Sequence, residues 1–553
     1  MAAKKKSVKK KAKKKTGEVW PVTVFLLKSG IKTFKDALHA KSKAATIHKI
    51  AGLGALVLKE SSAKTPKWAT RLAVIVPNAA SLLQQSPGAL LFVESGGEKF
   101  AVTFGYGRSL LAPEAIVHDF GIRAVLNSLD PALIRSVDSR TLDASPQLSR
   151  KQFVEERPLA AFALDRMHDL LKGVTGRVKS AVTKFENDLI TGTDSLQCRV
   201  RIDSAHELVQ CCSDFHGLYK KTDYKANFEF IDHVRFVRDP SVVKKLDGTL
   251  LTKAKSKTEV KDFGFAPPRQ LSGDELVRLQ CSWEKAIGPG ELKSEAVHKR
   301  LAALAKKATS PDDFIEKLKR DRIELFDALG EVVEGWSLYR CLLLEAVSTP
   351  VYILTTGDWY EVSKDFVDKI TTRFDKHVSD SLKAFTLKLP PQKPTHDRED
   401  KYNADVAKAL NLELFDKGSL TTGMNATGVE PCDLLDPQNG AFIHVKIGRR
   451  SSALSHLYSQ GLVSILTFLD DERARDNVRN RPATKSAAVL QEPVQASSLS
   501  TVFAIIDKPP KNKNKNKNKP WRLPFFSMVV ASSVTERIAQ RGVRAHTVRI
   551  DAA

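Results

Sequence analysis

Near the carboxyl third of the chain, a few residues have the types and spacing needed to hydrolyse a phosphodiester. The segment Gly428 to Lys446 reads GVEPCDLLDPQNGAFIHVK, two short strand patterns joined by a turn. Asp433 lies on the first strand and His444 and Lys446 on the second. Strand side chains alternate between faces, so His444 and Lys446 share one. Upstream, Glu399 heads a helical pattern over His396 to Leu410; downstream, Gln460 lies within another over Ser452 to Phe468. Mg2+ takes oxygen ligands and keeps several waters, so Asp433, Glu399, a backbone carbonyl and a substrate phosphate would suffice to hold it. Lys446 would stabilise developing negative charge or lower the pKa of an attacking water. Arg449, Arg450, Ser451 and Ser452 follow directly and would contact backbone phosphates.

His444 lies two residues before Lys446 on the same strand face, where its ring nitrogen is a further candidate ligand. A neutral imidazole can ligate a divalent ion, but it adds no charge and favours softer ions, which shifts preference from Mg2+ towards Mn2+. His444 could instead act as general base near its ordinary pKa. In a purely structural arrangement, His444 would bond a neighbouring strand and Lys446 would pair with Asp433. Glu430 and Asp436 compete for the acidic role, and His456 on the following helix is a packed or solvated residue in the plainest reading.

Several elements must position these side chains. Leu389-Pro-Pro-Gln-Lys-Pro394 is a linker. The region beyond it reads helix, three strands, helix, strand, an insertion, then strand, helix, strand. In that reading Phe525 to Ser532 is a strand, Thr535 to Arg541 a helix, and Ala545 to Ile550 the last strand. At the other end, Val22 to Leu27 predicts a strand and Ala89 to Phe104 a hairpin about Gly96-Gly97. A helix should start near Pro113-Glu114. Between them, Leu159 to Gly173 and Leu301 to Leu344 have helical spacing, Phe228 to Val237 is strand-like, and Val351 to Val362 predicts a hairpin about Gly357-Asp358. Its Tyr352, Trp359 and Tyr360 fit a cross-strand aromatic cluster, with base stacking the alternative. Gly105, Gly107 and Arg108 invite a phosphate-loop reading with Arg108 as anion donor, although the dinucleotide and P-loop glycine patterns are incomplete.

Length and composition bound the rest. At 553 residues and 42% hydrophobic, the chain is a multidomain globular protein of α/β and α+β class. The expected organisation is a disordered basic tail over 1–16, an α/β domain over 17–150, a mainly helical middle domain with hairpins over 151–390, and an α/β domain over 395–553 with a disordered Lys/Asn insertion at about 508–520. The net charge of +24 implies an anionic partner, most simply nucleic acid. Residues 1–15 carry nine lysines and Lys511 to Lys519 five more, which leaves a body of about +10. The six cysteines lack metal-ligand spacing and read as reduced thiols of a cytoplasmic protein. No signal peptide is evident and Ala51 to Leu58 is too short to span a bilayer, so no membrane partner is expected.

The constellation over roughly residues 395–470 resembles the PD-(D/E)XK restriction-endonuclease-like superfamily. The resemblance implies an α/β core with a mixed sheet, and a catalytic set of Glu399, Asp433, His444, Lys446 and Gln460. Nearly the whole chain also resembles an uncharacterised, sporadically distributed bacterial family of unknown function. That match rests on Phe104-Gly-Tyr-Gly-Arg108, Phe120-Gly121, Leu126-Asn127, Gly192-Thr-Asp-Ser195 and Tyr224 to Phe228. It continues in Glu399 with Tyr402-Asn403, Glu430-Pro-Cys-Asp433, His444-Val-Lys446, Ser455-His-Leu457 and Gln460-Gly461. It implies an antiphage or mobile-element setting, with a phage protein as trigger or a defence partner, and oligomers as an option.

The resulting expectation is a metal-dependent nuclease acting on foreign DNA, with Asp433, Glu399 and His444 as ligands to Mg2+ or Mn2+. The alternative is a catalytically inactive component that binds nucleic acid or senses a phage protein.

Overall fold

The computed structural model describes residues 18–143, 146–179, 185, 189–237, 239–268, 278–283, 294–326, 332–346, 350–415, 430–481, 484–507 and 520–552. The basic tail, the start of the Gly428–Lys446 segment and nearly all of the Lys/Asn insertion lie outside them. The chain is mixed α/β and divides into two compact units. One runs to Ser139 and takes in Ser149–Leu164 and Leu171–Glu229; the other comprises Arg140–Leu148, Asp165–Leu170 and everything from Phe230 on. Among the described residues, no helix is long and apolar enough to cross a membrane.

The first unit is built on a 10-stranded sheet. The expected hairpin is Gly88–Ser95 paired with Glu98–Gly105, and Gly96 and Gly97 take φ of 59° and 80° at its turn. The expected helical stretch Leu159 to Gly173 is instead a short turn of helix, Leu159–Phe162, followed by a strand, Asp169–Val178. Gly173, read as the end of the helix, lies inside that strand, where a Cβ would meet the Asp138 carboxylate at 3.0 Å; the glycine allows close packing in the sheet rather than ending a helix.

In the second unit, Leu301 to Leu344 is only half helical. Helices Ser294–Lys307 and Pro311–Arg320 precede strands Arg322–Phe326 and Val332–Ser337. Ser310 caps the second helix, accepting from the Asp313 N–H at 3.1 Å. Of Phe228 to Val237, only Val234–Phe236 is strand. The hairpin Tyr352–Thr355 with Asp358–Val362 forms as expected. Trp359 and Tyr360 are buried, and Trp359 donates its indole N–H to Asp247 at 2.9 Å, so these rings are core and not a stacking platform.

The sheet that concerns function has five strands in sequential order: β1 (Glu413–Leu414), β2 (Leu434–Asp436), β3 (Ala441–Ile447), β4 (Ser500–Asp507) and β5 (Arg544–Asp551). The first three are antiparallel neighbours; β3, β4 and β5 run parallel. Four helices serve it: α1 (Lys364–Ala384), α2 (Glu399–Leu410), α3 (Ser451–Asp470) and α4 (Phe525–Gln540). Alternate side chains feed two cores. Phe442, Phe503 and Ile505 pack with Leu457, Tyr458 and Ile465 of α3. Ile443, Val445, Val502 and Ala504 pack with Tyr402 and Val406 of α2. Both faces are covered, and every residue of β4 is buried, with an apolar run from Val502 to Ile506. The expected strand over Phe525 to Ser532 is the first half of α4. Every residue from Phe525 to Thr535 is buried, so no 3.6-residue stripe marks it as a helix.

Gly461 lets α3 lie close on β4, since a Cβ there would overlap the Phe503 ring. Gly461→Ala should therefore destabilise the protein by about 1–3 kcal/mol, read as a lower urea midpoint. An unmoved midpoint would show that the helix can shift off the sheet without cost.

Candidate functional site

The site forms where β2 and β3 part. Their ladder covers only Leu434–Asp436 against Ile443–Ala441, and the Asp433 N–H still donates to the Ile443 carbonyl at 3.0 Å. Past that point the N–H groups of Val445 and Ile447 face an edge that β2 no longer reaches. Buried backbone donors need acceptors, and two carboxylates supply them. Asp433 Oδ2 accepts from the Val445 N–H at 2.7 Å, and Glu399 Oε1 accepts from the Ile447 N–H at 3.0 Å. Glu399 is the first residue of α2, where a carboxylate suits the helix dipole. The Lys446 ammonium bonds Glu399 Oε2 at 2.8 Å. Lys446 thus pairs with Glu399, not with Asp433 as the structural alternative supposed.

These groups open on a cavity of about 500 Å3. Glu399, Asp433, His444, Lys446 and Gln460 all line it, so the five residues singled out from the sequence converge. Five carboxylates line it, those of Asp397, Glu399, Asp400, Glu430 and Asp433, against the cations Arg398 and Lys446. The cavity is therefore acid-rich, not a basic groove. Asp436 is excluded from it: its carboxylate accepts from Gln438 N–H, Asn439 N–H and Asn439 Nδ2, and so closes the β2–β3 turn.

His444 faces the α3 side of the sheet. It is 3% exposed, and its ring stacks on Phe503 at a centroid distance of 6.1 Å. Nε2 is buried without a hydrogen-bond partner. Burial alone pushes its pKa down to about 4, and no charged neighbour contributes. Among the described residues, no three His, Cys, Asp or Glu side chains are gathered into a ready-made metal cage. His444 is thus a neutral wall residue in this arrangement. The donor set that fits a cation is Asp433 and Glu399, two hard carboxylates of the kind a hydrated Mg2+ or Mn2+ accepts alongside water and substrate oxygens.

The flanking residues divide. Arg449, just past β3, lies 3.4 Å from Asp507 and donates to the Arg522 carbonyl. Arg450 is exposed at the N-cap of α3, and Ser451 and Ser452 form its first turn. His456 is exposed. Arg108 belongs to the other unit, where it donates to the Leu111 carbonyl at 3.0 Å and lies 3.9 Å from Asp194.

Asn403 lines the cavity too and is outside the catalytic and metal-ligand set read from the sequence. Asn403 is 1% exposed and donates from Nδ2 to Asp433 Oδ1 at 3.3 Å. Its position one helical turn after Glu399 was the available signal, since residues four apart share a helix face.

The model of a family of unknown function (DUF6119) matches residues 22–551, and the chain belongs to that family. No curated protein and no solved structure matches the chain.

His444 and His377, whose pKa is also lowered to about 4 by burial, stay neutral in the native state where the unfolded chain takes up protons. The unfolded state therefore binds more protons between pH 6.5 and about 4. Stability should fall as pH drops through that window, by about 3 kcal/mol for each group, and should not change above it on their account. His444→Gln should make the fall in melting temperature shallower. A variant with the wild-type slope would show that His444 is not held neutral.

Proposed function

We propose that this member of the DUF6119 family is a metal-dependent nuclease that hydrolyses phosphodiester bonds of foreign DNA in antiphage or mobile-element defence. The observation that carries the reading is the pair of carboxylates, Asp433 and Glu399, held by the exposed edge of the strand that bears Lys446. The order helix, three antiparallel strands, helix, parallel strand supports a restriction-endonuclease-like core over α2, β1 to β3, α3 and β4. The absence of a second-strand acid counts against it, and the second carboxylate then has to be that of Glu399.

Asp433 and Glu399 would hold Mg2+ or Mn2+, which when bound supplies Lewis acidity at a phosphate and a more acidic water. The chain's own residues have distinct tasks. Val445 and Ile447 fix the carboxylates through backbone N–H groups, and Asn403 orients Asp433. Lys446 stands next to Glu399, placed to neutralise charge that develops on the phosphate. An acid-rich cavity repels a polyanion, so phosphate entry depends on added cations. Arg450 and the hydroxyls of Ser451 and Ser452 at the head of α3 would contact flanking phosphates. His444 remains uncharged at neutral pH and shapes the wall.

A second reading, a catalytically inactive DNA-binding or phage-protein-sensing component, draws on the Lys446–Glu399 ion pair, which by itself could be structural.

Purified protein should cut plasmid, single-stranded DNA or RNA with Mg2+ or Mn2+ and not with chelator. The double substitution Asp433→Ala with Lys446→Ala should reduce the rate by about 10^3-fold or more while leaving the circular dichroism spectrum unchanged. Equal cleavage by the double variant would refute the reading, and salt-steep binding without nicking would favour the second.

A further inference from the structure

The first unit carries an excursion between its second and third hairpin strands that turns its large apolar side chains outward. A two-way backbone bridge closes its neck: Lys64 N–H donates to Gln84 O at 3.1 Å and Gln84 N–H to Lys64 O at 2.8 Å. Thr65 Oγ1 donates to the Ala80 carbonyl across it. Its inward residues are alanines, Ala69 and Ala79, both buried. Its larger residues face solvent: Val74 is 88% exposed, Ile75 80% and Leu83 66%, with Trp68, Val76 and Leu82 each between 45% and 48%. Elsewhere, exposed large apolar residues such as Val154 and Leu382 are scattered through the chain. An ordered segment with this inside-out pattern marks a surface that something apolar covers.

Charge narrows the occupant. The sequence has no acidic residue from Ser61 to Val93, while Lys64, Lys67 and Arg71 fall inside the excursion. Nine further lysines lie in the first fifteen residues. Val74-Ile75-Val76 sits midway between the pinned ends, with Lys64, Lys67 and Arg71 all on the arm that leads into it and no charged residue on the arm that returns from Pro77 to Gln84. Aliphatic side chains and an indole, on a segment with three cations on one arm and no acidic residue, match a lipid interface of hydrocarbon beneath anionic headgroups. Aliphatic side chains without an acidic neighbour suit an anionic lipid surface, and a second copy of the chain is the competing occupant that the test separates.

We propose that the Lys64–Gln84 excursion docks peripherally on an anionic lipid surface, with Val74, Ile75 and Val76 entering the headgroup boundary. This is contact with one leaflet and not a membrane span, and it is independent of the catalytic reading.

The test is flotation of the full-length protein with phosphatidylcholine vesicles, with or without about 30% phosphatidylglycerol. Wild type should float with the anionic vesicles and not with the neutral ones. Val74→Asp with Ile75→Asp should cut the bound fraction about fivefold or more. Val74→Ser with Ile75→Ser should do the same more weakly, guarding against a folding defect in the first pair. Vesicle-induced blue shift of tryptophan fluorescence should disappear in Trp68→Phe. Absence of flotation by wild type would overturn the proposal. So would equal flotation of the aspartate variant, which would assign the attraction to lysines alone. A wild-type oligomer that the aspartate variant disperses, without lipid binding, would reassign the patch to a second copy of the chain and overturn it too.

Discussion

The candidate site depends on two backbone N–H groups that the sheet leaves unpaired. Beyond Ile443, β3 runs on without β2, and Val445 and Ile447 must find acceptors elsewhere. Asp433 and Glu399 meet that need. The same contacts bring two carboxylates, drawn from a departing strand and from a helix start, to one edge beside Lys446. Asn403 adds a second hold on the Asp433 carboxylate. Two negative groups fixed by amides a strand repeat apart are an arrangement that a cation can complete.

Stability alone gives a weak reason for this arrangement. The Lys446–Glu399 pair is about one-third exposed on both sides, and such pairs contribute about 0–1 kcal/mol. Truncating Lys446 should therefore cost the fold little. An ammonium beside a carboxylate in an acid-rich cavity offsets part of the local negative charge, and under the proposed function it would also meet an incoming phosphate. His444, by contrast, lies against Phe503 and α3, and its burial serves the core that holds α3 on the sheet. The residue that made the sequence motif hard to interpret thus lines the cavity while its ring packs against Phe503.

Much of the site was legible because strand alternation is a strong constraint. Asp433, His444 and Lys446 could be assigned to neighbouring strands from apolar runs and one turn, and Glu399 from its place at a helix start. The partners were not legible. Whether Lys446 meets Asp433 or Glu399 depends on how far β2 follows β3, which no local pattern encodes. Asn403 could be placed on the helix face of Glu399, but its bond to Asp433 could not, since that depends on how the helix meets β2. In the wider fold, α4 was misread because burial on all sides erased its period. Asp169–Val178 was misread because its glycines serve close packing in a sheet, not a helix end. The hairpin about Gly96-Gly97 was read correctly, since positive φ is a local demand, while the one placed about Gly357-Asp358 turns at Thr356-Gly357, one residue earlier.

The central claim is that the carboxylates on the open edge of β3 bind a divalent cation. Titration of Mn2+ followed by the electron paramagnetic resonance signal of the free ion tests it without any need for a substrate. Wild-type protein should take up Mn2+ saturably, and Asp433→Asn, which keeps the side chain's shape and an acceptor oxygen, should lose that uptake. Mn2+ binding that is absent in wild type, or the same in the variant, would contradict the account.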